Sequence, residues 1–345
     1  MKTGQIKLGI IGAGAAARKL HYPVLQGMRT EVPIVAVCNS TRKSAETFLQ
    51  TIGGEAQIFD DYHALLESDA VDAVLISVPI ELSARVLTKA IVAKKHVMSE
   101  KPLAATVKQA FDILDARRRT DKIIAIGENF RYRRDTKKAR QVIESGEIGQ
   151  PSSFQLTIWL DLEAESRRVW AERPWRRKAS HLGGFVLDAG IHAVCGLRDV
   201  LGDVREVYAQ VFRQSSMTEG PDNLLMQVTM QNGAIGHCFA CYTAKVHKEV
   251  FFKLSVLGKD GSLEVVDGEV SWTRGLQVPN HFTTDATDRG YQAQWDNFLA
   301  AIRGKEPIVS SAEQACEDLL VIDAALESAA TGKSISIASR KANRL

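Results

Sequence analysis

The feature that most constrains the fold is a glycine-containing turn close to the N-terminus, between an apolar run and a helical segment. Residues 6–11 (IKLGII) predict a buried strand, and residues 12–17 (GAGAAA) fit the pattern G-x-G-x-x-A. In this pattern the first glycine permits a tight turn, the second lets backbone approach a pyrophosphate, and the last small residue allows close helix–strand packing. Because free N–H groups at the start of a helix attract anions, the turn predicts a dinucleotide site.

The strand–helix rhythm continues to residue 126 and then changes. Apolar runs separated by helical segments of about ten residues predict parallel strands covered on both faces. These predicted strands are residues 33–38, 71–78, 96–99 and 123–126. After Gly127, longer β-like runs joined by glycine-containing turns predict antiparallel strands. We therefore expect an α/β chain, with a doubly wound parallel sheet in 1–128 and an α+β domain with a large, mostly antiparallel sheet in 129–345.

Composition excludes several classes of protein. The chain has 345 residues and a net charge of +3, so nothing global indicates binding to nucleic acid or an anionic membrane. No apolar run approaches the roughly 18 residues of a membrane-spanning helix. The five cysteines are few and mostly apolar in context, which favours a reduced, cytoplasmic chain. Cys238 and Cys241 form one CxxC pair without a nearby second pair of ligands, so we expect a strand there and no metal.

Two motifs carry residues suited to catalysis. Lys101 lies in the sequence SEKP after a predicted strand, where it could donate to an oxygen that gains negative charge. Asp188 and His192 lie in GGFVLDAGIH, and a helix starting at Phe185 would place them at i and i+4 on one face. A histidine beside a carboxylate suits proton transfer near neutral pH.

The residues after the second predicted strand bear on the choice of cofactor. An NAD-binding fold usually has a carboxylate there for the ribose hydroxyls. This chain instead has hydroxyls, an amide and cations, which would suit a 2′-phosphate and favour NADP over NAD. The residues concerned are Asn39, Ser40, Thr41 and Arg42. Alternatively, Ser40 only caps the following helix.

Four motifs in order resemble one family of enzymes. They are GIIGAGAAA, SEKPLA, IESGEIGQ and GGFVLDAGIH, spread over most of the chain. This set resembles the glucose–fructose oxidoreductase, inositol dehydrogenase and rhizopine-catabolism (Gfo/Idh/MocA) family. The resemblance implies a Rossmann domain, a second domain with a large sheet often used for oligomerisation, and a sugar, cyclitol or related polyol as substrate. We therefore expect a homodimer or homotetramer.

The resemblance also implies roles for particular residues. Lys101, Asp188 and His192 occupy the family's catalytic positions and would contact substrate together with Arg131. The expected cofactor-binding residues are Gly12, Gly14, Ala15, Ala16, Asn39, Ser40, Thr41, Arg42, Val78, Pro79, Ser83, Glu100, Lys101, Asn129, Trp175 and Arg176. The chain departs from the usual Thr-Pro-Asn-x-x-His, because Ile80 and Ser83 replace the asparagine and histidine.

These features together predict an NAD(P)-dependent dehydrogenase or reductase acting on CH–OH groups. Two alternatives stay open: a non-catalytic NAD(P)-binding regulator, and a glycoside-cleaving relative that uses NAD transiently. Of two basic stretches, residues 131–140 are expected to be mostly solvated and not to bind nucleic acid, whereas residues 173–178 could contact an anionic substrate or the cofactor phosphates.

Overall fold

A computed structural model of the chain describes residues 4–172, 176, 183–285 and 288–342. The chain divides into two compact units, Met1–Glu128 with Tyr291–Cys316, and Asn129–Gly290 with Glu317–Leu345. A linear division at residue 128 therefore misses Tyr291–Cys316, which follows the second unit in sequence but packs with the first. The reason is that Trp295 and Phe298 are buried in the same apolar core as the first strands.

The first unit contains a six-stranded parallel sheet, as the sequence predicts. Its strands are β1 Leu8–Ile11, β2 Ile34–Cys38, β3 Gln57–Phe59, β4 Ala73–Ile76, β5 His96–Glu100 and β6 Ile124–Gly127. Their order is β3-β2-β1-β4-β5-β6. Strands β1, β4 and β6 are buried along their whole length, which explains why they read as continuous apolar runs.

Helices connect these strands. Ala17–His21 is a π-helical turn that leads into α1 Tyr22–Gly27. The others in this unit are α2 Arg42–Ile52, α3 Tyr62–Glu67, α4 Ile80–Val92, α5 Val107–Arg117 and α10 Tyr291–Ile302. Strand β3 and helix α3 were not expected from the sequence, because both are too short to give a periodic apolar pattern.

The second unit contains a nine-stranded sheet in the order β14-β13-β12-β11-β7-β10-β9-β8-β15. Its strands are β7 Pro151–Trp159, β8 Val204–Phe212, β9 Asn223–Met230, β10 Ile235–Cys241, β11 Val250–Gly258, β12 Gly261–Val266, β13 Glu269–Arg274, β14 Asn280–Thr283 and β15 Ile335–Ser336. All pairs are antiparallel except β7 with β10. The expected fold class is confirmed.

The helices of the second unit leave much of one sheet face uncovered. They are α6 Arg134–Glu144, α7 Glu165–Ala171, α8 Gly184–Asp188, α9 Gly190–Leu201 and α12 Ile337–Ala342, preceded by a 3₁₀ turn at Asn129–Tyr132. Helix α11, Ala312–Thr331, begins in the first unit and continues in the second. No described helix is both long and apolar enough to cross a membrane.

The prediction of one helix through Asp188 and His192 is wrong. Helix α8 ends at Asp188, and α9 begins at Gly190. Between them Ala189 has φ −103° and ψ −32°, and its carbonyl accepts from the His192 N–H at 3.2 Å in a three-residue turn. The two side chains therefore belong to successive short helices, and the i, i+4 spacing does not describe their relation.

Candidate active site

The glycine turn lies where the strand order of the parallel sheet reverses, between β1 and β4. Gly12 has φ +92°, and a Cβ there would lie 2.2 Å from the carbonyl oxygen of Ser77, so only glycine fits. A Cβ at Gly14 would meet no atom of the described residues within 4 Å. The protein itself therefore does not require glycine at position 14, whereas a phosphate against the backbone would. In doubly wound sheets a dinucleotide binds at this reversal point.

The start of the following helix offers backbone for an anion. Gly14, Ala15 and Ala16 are partly exposed, whereas Ala13 and Ala17 on either side of them are buried. Buried Ala17 brings the helix close to the sheet, which is the role expected of the last small residue in the motif. These residues fit a pyrophosphate, and their role in binding one stays a prediction.

The end of β2 is more acidic than its sequence suggests. Thr41, and not Ser40, caps α2, with its hydroxyl accepting from the Ser44 N–H at 3.2 Å. Arg42 donates to Asp60 at 3.1 Å and lies 3.6 Å from Glu46. Burial raises the pKa of Cys38 to about 11, with further increases from the nearby Asp61 and Asp60. Carboxylates from the β3–α3 connection thus approach this corner.

The β4–α4 connection provides exposed backbone but not the expected polar side chain. Val78 and Pro79 are partly exposed, and α4 begins directly after Pro79. The Ser83 hydroxyl is buried and donates to the Ile80 carbonyl at 2.8 Å. Ser83 therefore satisfies its own helix, and this contact is evidence against a direct role in binding a cofactor.

Glu100 and Lys101 follow the carboxyl end of β5 in the same sheet. Glu100 is the last strand residue, and its carboxylate lies 2.7 Å from the Nε2 atom of His21. Lys101 is partly exposed, and its peptide bond to Pro102 is cis. The edge that carries the glycine turn thus also carries the predicted catalytic lysine, since carboxyl ends of parallel strands share one edge.

The second unit holds the predicted acid–base pair. Asp188 is buried, and its carboxylate accepts a hydrogen bond from Nε of Arg176. Arg176 also donates to the Trp170 carbonyl at 2.8 Å. The partly exposed His192 ring stacks on Phe130, with centroids 5.1 Å apart and planes 23° apart. Asp188 is therefore held by a cation, and His192 is fixed by an aromatic face.

Tyr242 was missed by the sequence analysis, because it looks like an ordinary strand aromatic in HCFACYT. It is buried, it packs edge-to-face on Phe185, and its hydroxyl would lie 3.9 Å from a Cβ at Gly190. Among the described residues no group bonds to that hydroxyl. Burial, together with the nearby Cys238 and Asp188, raises the pKa of Tyr242 well above its usual value, so the phenol stays a proton donor.

Two residues of the segment entering the second unit have structural partners. The Asn129 side-chain amide donates to the Arg289 carbonyl at 2.7 Å. The buried Arg131 guanidinium lies 2.6 Å from Asp318, which gives it a role in the core and is evidence against contact with substrate. Trp175 and most of the basic stretch 173–178 lie outside the described residues; only Arg176 is described.

The CxxC pair lies on strand β10. A spacing of three residues places Cys238 and Cys241 on opposite faces of the strand, and only Cys238 is fully buried. Burial raises the pKa of Cys238 to about 12. Within the described ranges no group of three or more potential metal ligands occurs.

Comparison with known families shows what this architecture belongs to. Residues 6–128 match the Gfo/Idh/MocA oxidoreductase family model for an NAD-binding Rossmann fold, and residues 140–337 match its C-terminal alpha/beta domain. The chain belongs to this family. It is therefore an NAD-binding oxidoreductase, and the resemblance drawn from the four motifs is confirmed.

Individual relatives cover the chain almost completely. An oxidoreductase from Thermotoga maritima has 30% identity and a TM-score of 0.89, over 97% of this chain and 99% of its own. The D-glucoside 3-dehydrogenase of Escherichia coli K12 is 24% identical over 98% of this chain and 99% of its own. Levoglucosan dehydrogenase, solved with NADH and levoglucosan, has 21% identity, a TM-score of 0.85 and coverage of 97% and 100%. That last likeness shows the fold alone.

Proposed function

We propose that the protein oxidises a secondary alcohol of a sugar, cyclitol or related polyol to a ketone, reversibly, with NAD as hydride acceptor. The observation that carries the proposal is the position of the His192 ring, which stacks on Phe130 shortly after the helix that ends at Asp188. The other unit of the same chain has a glycine turn suited to a dinucleotide. The named activity of the D-glucoside 3-dehydrogenase relative supports a polyol substrate.

The catalytic roles follow from side-chain chemistry. His192 accepts the hydroxyl proton, and Lys101 donates to the oxygen as negative charge develops on it. The carbon–hydrogen bond breaks with its electron pair, and the bound nicotinamide supplies the hydride acceptor. Asp188, which is paired with Arg176, accepts from a neighbouring substrate hydroxyl. The Tyr242 phenol is a further donor for a substrate oxygen in the second unit.

The cofactor is held by the carboxyl edge of the parallel sheet. Gly12, Gly14, Ala15 and Ala16 would hold the pyrophosphate, and Val78, Pro79 and Glu100 would contact the rest of the dinucleotide. The preference for NADP stays a prediction, and the pairing of Arg42 with Asp60 is evidence against it. The carboxylates of Asp60 and Glu46 beside Arg42 would repel a 2′-phosphate, so we propose that NAD is the better cofactor.

The test is turnover on a panel of sugars and cyclitols, followed by nicotinamide absorbance. His192→Ala and Lys101→Ala should each lower kcat by about 10²-fold or more while NADH still binds. His281→Ala, at an exposed site on β14, is the matched control and should keep full activity. Unchanged turnover in both catalytic variants would overturn the assignment. Tight NADH binding without turnover on any polyol would favour a regulator, and glycoside cleavage without net reduction would favour the glycoside-cleaving alternative.

We also propose that the open face of the nine-stranded sheet pairs with a second copy of the chain. Leu225 on β9, Ile235 on β10 and Leu257 on β11 are 44%, 54% and 57% exposed, and strand β7 lies between β10 and β11. The groove around them is otherwise lined by glutamine, serine, tyrosine, histidine, phenylalanine and glycine, and no described Lys, Arg, Asp or Glu lines it. Because the groove itself has no charged lining residue among those described, two copies can meet on it without like-charge repulsion.

Mass measurement in solution tests this pairing. The wild-type chain should have at least a dimer mass, and Ile235→Glu should give a monomer. Leu276→Glu introduces the same charge at an exposed leucine outside the groove and should leave the mass unchanged. A wild-type monomer, or a dimer that persists in Ile235→Glu, contradicts the proposed interface.

A further inference from the structure

A buried imidazole in the first unit has hydrogen bonds at both ring nitrogens. His21 is the last residue of the π-helical turn after the glycine motif, and it is 0% exposed. Its Nε2 atom lies 2.7 Å from Oε1 of Glu100, and its Nδ1 atom lies 3.1 Å from Nε1 of Trp295. The rings of Trp295 and Tyr291 also pack edge-to-face on it, at 5.8 Å and 5.9 Å. The orientation of this ring is therefore fixed on several sides.

The partners dictate which nitrogen carries the proton. An indole nitrogen can only donate, so Nδ1 of His21 must accept from Trp295. The proton of the neutral ring is then on Nε2, which donates to the Glu100 carboxylate. A second proton on Nδ1 would face the indole N–H and lose that hydrogen bond. Trp295 thus selects one tautomer of His21, and that tautomer binds Glu100.

Glu100 is attached directly to the predicted catalytic lysine. It is the last residue of β5 and pairs in register with Gly127 of β6. A Cβ at Gly127 would lie at contact distance from Glu100, 3.4 Å from its Cα atom and 3.5 Å from its carboxylate, so the backbone of β6 packs directly against this residue. The backbone of β6 and the His21 imidazole together fix Glu100. They thereby fix the position at which the chain leaves β5 toward Lys101.

We propose that His21 is a positioning residue for hydride transfer, holding the Glu100 carboxylate and thereby the placement of Lys101. The same imidazole joins the helix after the glycine turn to the strand that carries the lysine, so it couples the cofactor-binding and catalytic elements of this unit. This inference rests on the proposed function, because Lys101 is catalytic only there. A displacement of about 1 Å in such a group can lower turnover by about 10²-fold.

Kinetics of three variants test the positioning role. His21→Leu removes both hydrogen bonds and should lower kcat by about 10- to 100-fold, with NADH affinity changed by less than about threefold. His21→Gln keeps an N–H donor toward Glu100 and should recover most of that loss. His96→Gln is the matched control, since His96 lies at the other end of β5 and accepts from the Ile123 N–H at 3.1 Å. It should leave kcat unchanged.

A double variant distinguishes positioning from general damage to the fold. If His21 acts through Glu100, adding His21→Leu to Glu100→Gln should lower kcat no further than Glu100→Gln alone. Additive losses, or a His21→Leu enzyme with wild-type kcat, would overturn the proposal. So would equal losses in His21→Leu and His21→Gln, because the retained donor would then have no effect.

A spectroscopic readout is independent of turnover. In protein labelled with ¹⁵N-histidine, one imidazole should show a protonated Nε2 and a bare Nδ1 near neutral pH, and this signal should vanish in His21→Leu. Trp295→Phe removes the indole donor and should shift the resonance of Nδ1. Protonated Nδ1 in the wild-type protein would overturn the proposal whatever the activity. If the wild-type protein turns over no polyol, the proposed function fails. The tautomer would then test only the hydrogen bonds from Trp295 to His21 and from His21 to Glu100.

Discussion

Asp318 bridges two arginines in the core of the second unit, and its loss should be severe. Its carboxylate is 1% exposed and binds Arg131 at 2.6 Å and also Arg198, whose side chains are 5% and 3% exposed. Asp318→Leu leaves two guanidinium groups facing each other without the carboxylate between them. Removing one partner of a buried ion pair costs about 3–5 kcal/mol, because the remaining charge stays buried and uncompensated.

Calorimetry of the second unit's unfolding transition measures this cost. At about 2–4 °C per kcal/mol for a unit of this size, the midpoint should fall by about 6–20 °C. Asp203→Ala is the matched control, because Asp203 binds the same Arg198 at 2.6 Å but is 58% exposed. An exposed pair contributes less than about 1 kcal/mol. If Asp318→Leu lowered the unfolding midpoint as little as Asp203→Ala does, the buried ion pairs of Asp318 would not stabilise this unit as proposed.

Three further predictions concern pH, thiol chemistry and the phenol of the second unit. Burial, assisted by Lys122, lowers the pKa of His96 to about 4. Below about pH 6.5 the unfolded chain therefore binds a proton that the folded chain does not. The free energy of unfolding should fall by roughly 2 kcal/mol as pH drops from about 6.5 to 4. Urea titrations measure this loss, and His96→Gln should abolish it. Cys38 should resist a thiol reagent at pH 8 that labels the partly exposed Cys241, and labelling of Cys38 in native protein would contradict its burial. Tyr242→Phe should raise the polyol KM with the fold intact, and an unchanged KM and kcat would remove it from the site.

Features that depend only on neighbouring residues could be predicted from the sequence. The turn at Gly12 needs glycine for its positive φ, and the strand before it is apolar because both faces of the sheet are covered. The lysine in SEKP could be placed at the sheet edge because it follows a strand in the βαβ series. These inferences required only the order of elements along the chain.

Long-range packing accounts for what the sequence did not reveal. Trp295 packs with the first unit although it follows the second in sequence, and no periodicity indicates that. The sequence suggested Arg42 as a phosphate ligand, and it could not show that Arg42 pairs with Asp60. Arg131 looks like a pocket residue until Asp318, far along the chain, is found to bind it. In each case the partner is brought close by tertiary structure alone.

In the proposed reaction, hydride passes from a polyol carbon to nicotinamide. Isotope transfer tests this step when the protein is incubated with NAD and a panel of polyols deuterated at carbon, and the reduced cofactor is analysed by mass spectrometry. An active polyol should transfer one deuterium to the cofactor, and His192→Ala should suppress the transfer by about 10²-fold. Recovery of only unlabelled cofactor with every polyol, or equal labelling by His192→Ala, would overturn the proposed hydride transfer.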